Sequence, residues 1–171
     1  MELKDKIRTI PDYPEEGILF RDITTLLKDV DAMVESIDRM QKNLEGLEFD
    51  FILGPESRGF IFGMVLAYNM KKGFIPVRKK GKLPAEVISK EYTLEYGTAV
   101  IEIHKDAILP GQKVVIVDDL LATGGTAKAI IEMVESIGAE IVAANFLIEL
   151  DGLKGRDVLG DCNVKSVIHY D

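Results

Sequence analysis

The sequence predicts an α/β fold with a mostly parallel central sheet flanked by helices, and three observations carry that expectation. Segments with strand and helix periodicity alternate along most of the 171 residues, the order that builds parallel sheets. Val114, Val115, Ile116 and Val117 form an unbroken β-branched run, the pattern of a central strand covered on both faces. Hydrophobic residues make up 47% of the chain, enough for one sizeable core. A single domain over residues 1–171 is therefore expected.

Each element follows from local pattern. Met33, Val34, Ile37, Met40 and Leu44 recur at spacings of three and four between a capping Asp31 and a terminating Gly46, which predicts an amphipathic helix. Phe51, Ile52 and Leu53 form a short apolar run ending at Gly54-Pro55, as a buried strand would. A helix over residues 59–70 and a strand over 74–77 come next. From Val87 the pattern alternates: Ala99, Ile101 and Ile103 share one face, and Val100, Glu102 and His104 the other. With Glu95-Tyr96-Gly97-Thr98 as the turn, this predicts an inserted β-hairpin. Pro110-Gly111 makes a tight turn before the central strand. A helix over 126–137 stopped by Gly138, a strand over 141–148 and a last strand over 164–168 complete the chain.

Composition narrows the partners. A net charge of −8 repels nucleic acid and anionic membrane alike. Cys162 is the only cysteine, so an intramolecular disulfide and a four-cysteine metal site are both excluded, and a reducing compartment fits. The first ten residues mix charges without the apolar stretch of a secretory signal, and no segment approaches the ~18 apolar residues of a membrane span. A cytoplasmic location is expected. An anionic ligand would need local cations, and Arg78, Lys79, Lys80 and Lys82 offer them within five positions.

The strongest local signal is the order of residues 114–126: a buried strand, then Asp118 and Asp119, then Leu120, Leu121, Ala122, Thr123, Gly124, Gly125 and Thr126 leading into a helix. A loop at the carboxyl end of a parallel strand opens into the crevice where α/β sheets bind ligands. The helix starting there presents unpaired N–H groups and a positive dipole end, both suited to a phosphate. Gly124 and Gly125 let backbone approach it, and the Thr123 and Thr126 hydroxyls add donors. Adjacent carboxylates repel unless hydroxyl donors or a nearby Mg²⁺ compensate, and two neighbouring ribose hydroxyls could supply those donors. The dinucleotide fingerprint and the Gly-Lys-Ser/Thr triphosphate loop are both missing, so a ribose phosphate is the expected ligand.

Residues 114–126 resemble the phosphoribosyl-diphosphate signature of the type I phosphoribosyltransferases. Phe20-Arg21-Asp22-Ile23, Glu56-Ser57-Arg58-Gly59-Phe60, residues 78–84 and Leu94-Glu95-Tyr96-Gly97 resemble the adenine-specific members in order and spacing, from about residue 10 onward. One departure is Glu15-Glu16-Gly17, where the family often has proline before the glycine.

The resemblance implies the type I phosphoribosyltransferase fold, with a small N-terminal hood over residues 1–30 and a flexible hairpin flap over 78–104. It implies Mg²⁺-dependent transfer of 5-phosphoribosyl from phosphoribosyl diphosphate to adenine, giving AMP and diphosphate in purine salvage. Mg²⁺ would be held mainly by substrate oxygens, with no direct protein ligand. By the same match, Asp118, Asp119, Ala122, Thr123, Gly124, Gly125 and Thr126 hold the ribose phosphate, and Ser57, Arg58, Arg78, Lys79 and Lys82 hold the diphosphate. Leu19, Phe20, Arg21 and Leu153 receive adenine. Glu95 exchanges a proton with the purine, Tyr96 approaches the sugar or diphosphate, and Arg58 assists the leaving group. The match also implies a homodimer and marks Glu56-Ser57 as a candidate cis peptide. Two other readings remain: a different acceptor, such as hypoxanthine or guanine, and a regulator that binds the donor without turnover. His104, His169 and Cys162 receive no role from the sequence.

Overall fold

The computed structural model describes residues 1–94 and 97–171. Glu95 and Tyr96, the expected hairpin turn, lie outside the described residues. The chain forms two compact units, Met1–Arg39 and Met40–Asp171.

The first unit opens with a 3₁₀ turn, Leu3–Lys6, followed by β1 (Arg8–Pro11), β2 (Leu19–Asp22) and α1 (Thr24–Lys28). β1 and β2 are antiparallel, with Arg8 opposite Asp22 and Pro11 opposite Leu19. Asp22 closes this unit by joining two elements. Its carboxylate accepts from Arg8 Nε at 2.9 Å, and also from the Thr24 N–H at 2.9 Å and the Thr24 hydroxyl at 2.7 Å at the start of α1. In the connecting turn Gly17 has φ +88° and donates its N–H to the Asp12 carboxylate at 2.8 Å. Asp12 thus pins the turn in which the family's proline is missing.

The Thr24 hydroxyl, then the Thr24 N–H and Arg8, hold the Asp22 carboxyl down to about 2. A depressed carboxyl stabilises the folded state above its unfolded value and loses that contribution as pH falls through the folded one. Asp22 is therefore expected to lose its stabilising effect between about pH 4 and pH 2. Urea unfolding of Asp22→Asn should show reduced stability at pH 7 and a difference from the parent that shrinks toward pH 2. A difference that does not change with pH would remove this role.

α2 (Val30–Lys42) begins in the first unit and ends in the second. It stops four residues before Gly46, because residues 43–46 form a turn. Its last turn is tied to the sheet of the second unit by fully buried Asn145, which donates to the Met40 carbonyl at 2.8 Å and accepts from Asn43 at 3.1 Å.

Among the described residues the second unit holds seven strands: β3 (Phe51–Pro55), β4 (Gly73–Lys79), β5 (Val87–Leu94), β6 (Gly97–His104), β7 (Lys113–Leu121), β8 (Glu140–Leu150) and β9 (Val164–Tyr170). Their spatial order is β5-β6-β4-β3-β7-β8-β9. The five from β4 to β9 run parallel, while β6 joins β4 and β5 antiparallel. The mostly parallel sheet with an inserted hairpin is thus as expected. α3 (Arg58–Met70), α4 (Gly125–Ser136) and the short α5 (Gly155–Val158) complete the unit. Leu53, Val114, Ile116, Ile130, Met133, Val134 and Phe146 meet in one buried cluster, where α4 and the sheet exclude water from each other's apolar faces.

Two differences from the sequence pattern bear on function. β7 continues through Asp118 and Asp119 to Leu121, because β8 keeps pairing with it as far as Leu121 opposite Glu149, whereas β3 stops at Leu53 opposite Ile116. On β6, Glu102 is only 6% exposed. The face shared by Val100, Glu102 and His104 is covered at Glu102, which accepts from the Gly81 N–H at 2.8 Å and from the Ser89 hydroxyl.

Candidate active site

β3 and β7 are adjacent and parallel, and their successors lie on opposite sides: β4 beyond β3, and β8 beyond β7. Such a switch point leaves a crevice at the strands' carboxyl ends. α3 and α4 both begin there, following β3 and β7. Gly124 caps the start of α4 at φ +88°, an angle glycine adopts without steric cost. Having no side chain, it leaves the first N–H groups of α4 available to a ligand.

A pocket at this helix start is lined by Ala122, Thr123, Gly124, Gly125 and Thr126 together with Asp118. Beside it, a cleft of about 320 Å³ is lined by Ser57, Arg58, Lys79, Asp118, Asp119 and Thr126. A second cleft of about 410 Å³ adds Arg78 and Lys80. The second unit therefore gathers the expected phosphate and diphosphate residues with one exception. Lys82 is exposed in the turn beyond Lys80 and is missing from the lining of these three cavities.

The charges are arranged in layers. Asp119 is 7% exposed and takes a 2.6 Å ion pair from Arg58 Nε, while its N–H donates to the Asp118 carboxylate at 2.8 Å. Burial first, and the negative charge of Asp119 second, push the Asp118 carboxyl well above the usual carboxylate range. The Glu56-Ser57 peptide, the candidate that the resemblance singled out, is cis.

Three site-shaping residues escape sequence reading. Glu56 accepts from the Lys79 N–H at 2.7 Å and from Arg78 Nε at 3.2 Å, so it fixes the basic segment at the cleft wall. The Lys79 N–H, foremost, holds the Glu56 carboxyl below its ordinary value. Glu102 grips the same segment from the hairpin side through Gly81. Tyr92 on β5 places its hydroxyl 3.0 Å from Thr126 Oγ1. The period-two pattern that puts Lys90 and Tyr92 on one face could have indicated this last contact, since Lys90 also pairs with Glu132 on α4 at 3.0 Å.

The expected base-binding residues fall in both units. In the first, Leu19 is 54% exposed, Phe20 meets Tyr13 edge to face with centroids 5.1 Å apart, and Arg21 donates to Thr9 Oγ1 at 2.7 Å. In the second, Leu153 is 51% exposed in a 3₁₀ turn, Asp151–Leu153. His169, given no partner by the sequence, lies with Nδ1 2.8 Å from Asp151 Oδ1 at the start of that turn.

Residues 21–168 match the model of the phosphoribosyl transferase domain. The chain belongs to the phosphoribosyltransferase family. Within that family, relatives of high identity are adenine phosphoribosyltransferases. The one from Lachnoclostridium phytofermentans is 61% identical over 99% of this chain and 97% of its own length. That of Clostridium tetani is 56% identical over 100% and 99%. Among solved structures, the adenine phosphoribosyltransferase of Thermoanaerobacter pseudethanolicus superposes with a TM-score of 0.96 at 56% identity, covering 99% of this chain and 98% of that one. The Saccharomyces cerevisiae enzyme, complexed with D-2,5-dideoxy-2,5-imino-altritol 1,6-bisphosphate and adenine, gives 0.88 at 40% identity, covering 97% and 96%. The type I phosphoribosyltransferase fold expected from residues 114–126 is thus borne out. Among the described residues, no helix is long and apolar enough to cross a membrane.

Proposed function

We propose that this phosphoribosyltransferase transfers the 5-phosphoribosyl group of phosphoribosyl diphosphate to N9 of adenine, releasing AMP and diphosphate. The observation that carries the reading is the acid pair of β7 set beside the start of α4, where the Gly124 cap supplies no side chain to its first N–H groups, in one crevice. That crevice offers acceptors for a sugar diol next to donors for its 5-phosphate. The yeast relative complexed with adenine and a bisphosphate supports the same pair of ligand chemistries.

As the C1–O bond to diphosphate breaks, positive charge builds on the ribose and negative charge on the departing group. In this proposal Arg58, Arg78 and Lys79 bind the diphosphate, with Ser57 adding a donor, and Lys82 reaches it from the turn. Asp118 and Asp119 orient the ribose hydroxyls, while Ala122, Thr123, Gly124, Gly125 and Thr126 enclose the 5-phosphate. The roles of Leu19, Phe20, Arg21 and Leu153 toward adenine are carried over from the family resemblance. Glu95 takes the purine proton as N9 bonds to C1, and Tyr96 approaches the sugar or diphosphate.

The cleft beside the acid pair has room for a hydrated ion, so Mg²⁺ carried by the substrate oxygens fits there without a direct protein ligand. Mg²⁺, brought by the substrate oxygens, would supply charge neutralisation of the leaving diphosphate. Another carboxylate–imidazole group, Glu149, Asp151 and His169, has ligand atoms within 4.8 Å of one another. Glu149 there is already engaged by Arg156 and Ser166.

The proposal includes a cytoplasmic homodimer of one-domain chains. Ile61, Met64, Val65 and Tyr68 on α3 are all exposed at helical spacing, an apolar stripe of the kind a second copy covers.

The deciding experiment offers adenine, hypoxanthine, guanine and orotate separately with Mg²⁺ and phosphoribosyl diphosphate. Diphosphate release with adenine alone is expected. Release only with a 6-oxopurine would move the acceptor, and donor binding without turnover would make the chain a regulator. Sedimentation of the same preparation should give the mass of two chains.

A further inference from the structure

We propose that Gly155 and Arg156 are positioning residues that buttress the backbone cup at Ala122–Gly124, so that donor affinity depends on a contact outside the crevice. The inference rests on the reading of that cup as the 5-phosphate seat.

α5 lies directly against the cup. A Cβ on Gly155 would collide with the Ala122 carbonyl oxygen and come within 3.0 Å of the Leu121 side chain. In return, a Cβ on Gly124 would lie 2.8 Å from the Gly155 carbonyl oxygen. Two backbones therefore touch with no side chain between them, and neither can shift without moving the other. Gly155 has ordinary negative-φ geometry, so close approach alone excludes a larger residue there.

Arg156 holds α5 in that place. Its Nη2 donates to Glu149 Oε1 at 2.7 Å, its Nε to Oε2 at 3.2 Å, and its Nη1 to the Val164 carbonyl at 2.9 Å. One guanidinium thus ties α5 to β8 and β9 together. Glu149 is the residue opposite Leu121, the last residue of β7 before the cup. Its side chain is 7% exposed, and without Arg156 the hydrogen bond that carboxylate would keep among the described residues is that from the Ser166 hydroxyl at 2.5 Å. A buried carboxylate stripped of its cation relaxes toward water, and here it would carry the cup's flank with it.

Calorimetric titration of the intact chain with phosphoribosyl diphosphate and Mg²⁺ tests this without requiring turnover. Gly155→Ala and Arg156→Met are each expected to weaken donor Kd about tenfold, the scale of a sub-ångström to ångström displacement of a binding cup. Arg156→Lys, which keeps the charge and loses the fork, should recover part of the affinity. Asp157→Ala, exposed on the same helix, should leave Kd unchanged. Variants with the parent's far-UV spectrum and an unchanged donor Kd would overturn the proposal, whatever their melting temperatures. If Arg156→Met fails to fold, Gly155→Ala decides. A parent chain that binds donor but never turns over defeats the proposed activity and leaves the buttress fully tested, whereas a parent that does not bind donor defeats both.

Discussion

Glu95→Gln is expected to lower kcat by roughly 10²–10⁴-fold, the usual worth of a positioned general acid or base, while leaving the Kd for phosphoribosyl diphosphate within about twofold of the parent. The purine proton must leave as N9 becomes bonded to C1, and an amide cannot accept it. The donor contacts proposed above lie at the carboxyl ends of β4 and β7 and on the segments that follow β3 and β7, so losing one carboxylate from the hairpin should cost the chemical step and spare donor binding. Single-turnover rates measured beside equilibrium donor titration separate the two quantities. An unchanged single-turnover rate would take Glu95 out of the mechanism.

Asp118→Asn is expected to move stability and function in opposite directions. A carboxyl raised above its unfolded value costs nothing below that value and increasingly destabilises the fold as pH rises toward the folded one. Burial and the Asp119 charge place Asp118 in this class. An asparagine has nearly the same shape, can still accept the Asp119 N–H at Oδ1, and removes the buried acid. The variant should therefore melt above the parent, with a gain that grows from about pH 4 upward. Donor affinity should fall by roughly twofold to tenfold, the worth of one hydrogen bond from a ribose hydroxyl to a neutral acceptor. Melting curves across pH, paired with donor titration, check both halves. A variant less stable than the parent at neutral pH would contradict the assignment of strain to this acid.

Residues 114–126 were legible because their signals are local. A β-branched run, two acids, paired glycines and a helix start follow one another in the chain, so each neighbour is fixed by covalent connection. The ends of β7 were not legible, since its extension through Asp118 and Asp119 depends on β8 continuing to pair after β3 has stopped. Glu56, Glu102 and Tyr92 were missed for a related reason. Each acts across strands or between hairpin and helix, and such partners are set by register, which a single sequence states only as alternation. The β1–β2 hairpin of the first unit carries little apolar periodicity. It is held by Asp22 bonding to Arg8 and Thr24, a polar device that hydrophobic patterning does not report.

The adjacency of β3 and β7 also has a kinetic consequence. Phe51 pairs with Val114, so α3, β4 and the whole hairpin are synthesised between two strands that must end side by side. Closing that long loop costs chain entropy before the parallel pairing returns any energy. During refolding, capture of a sugar phosphate should accordingly appear last, after helical signal and hairpin burial have already returned.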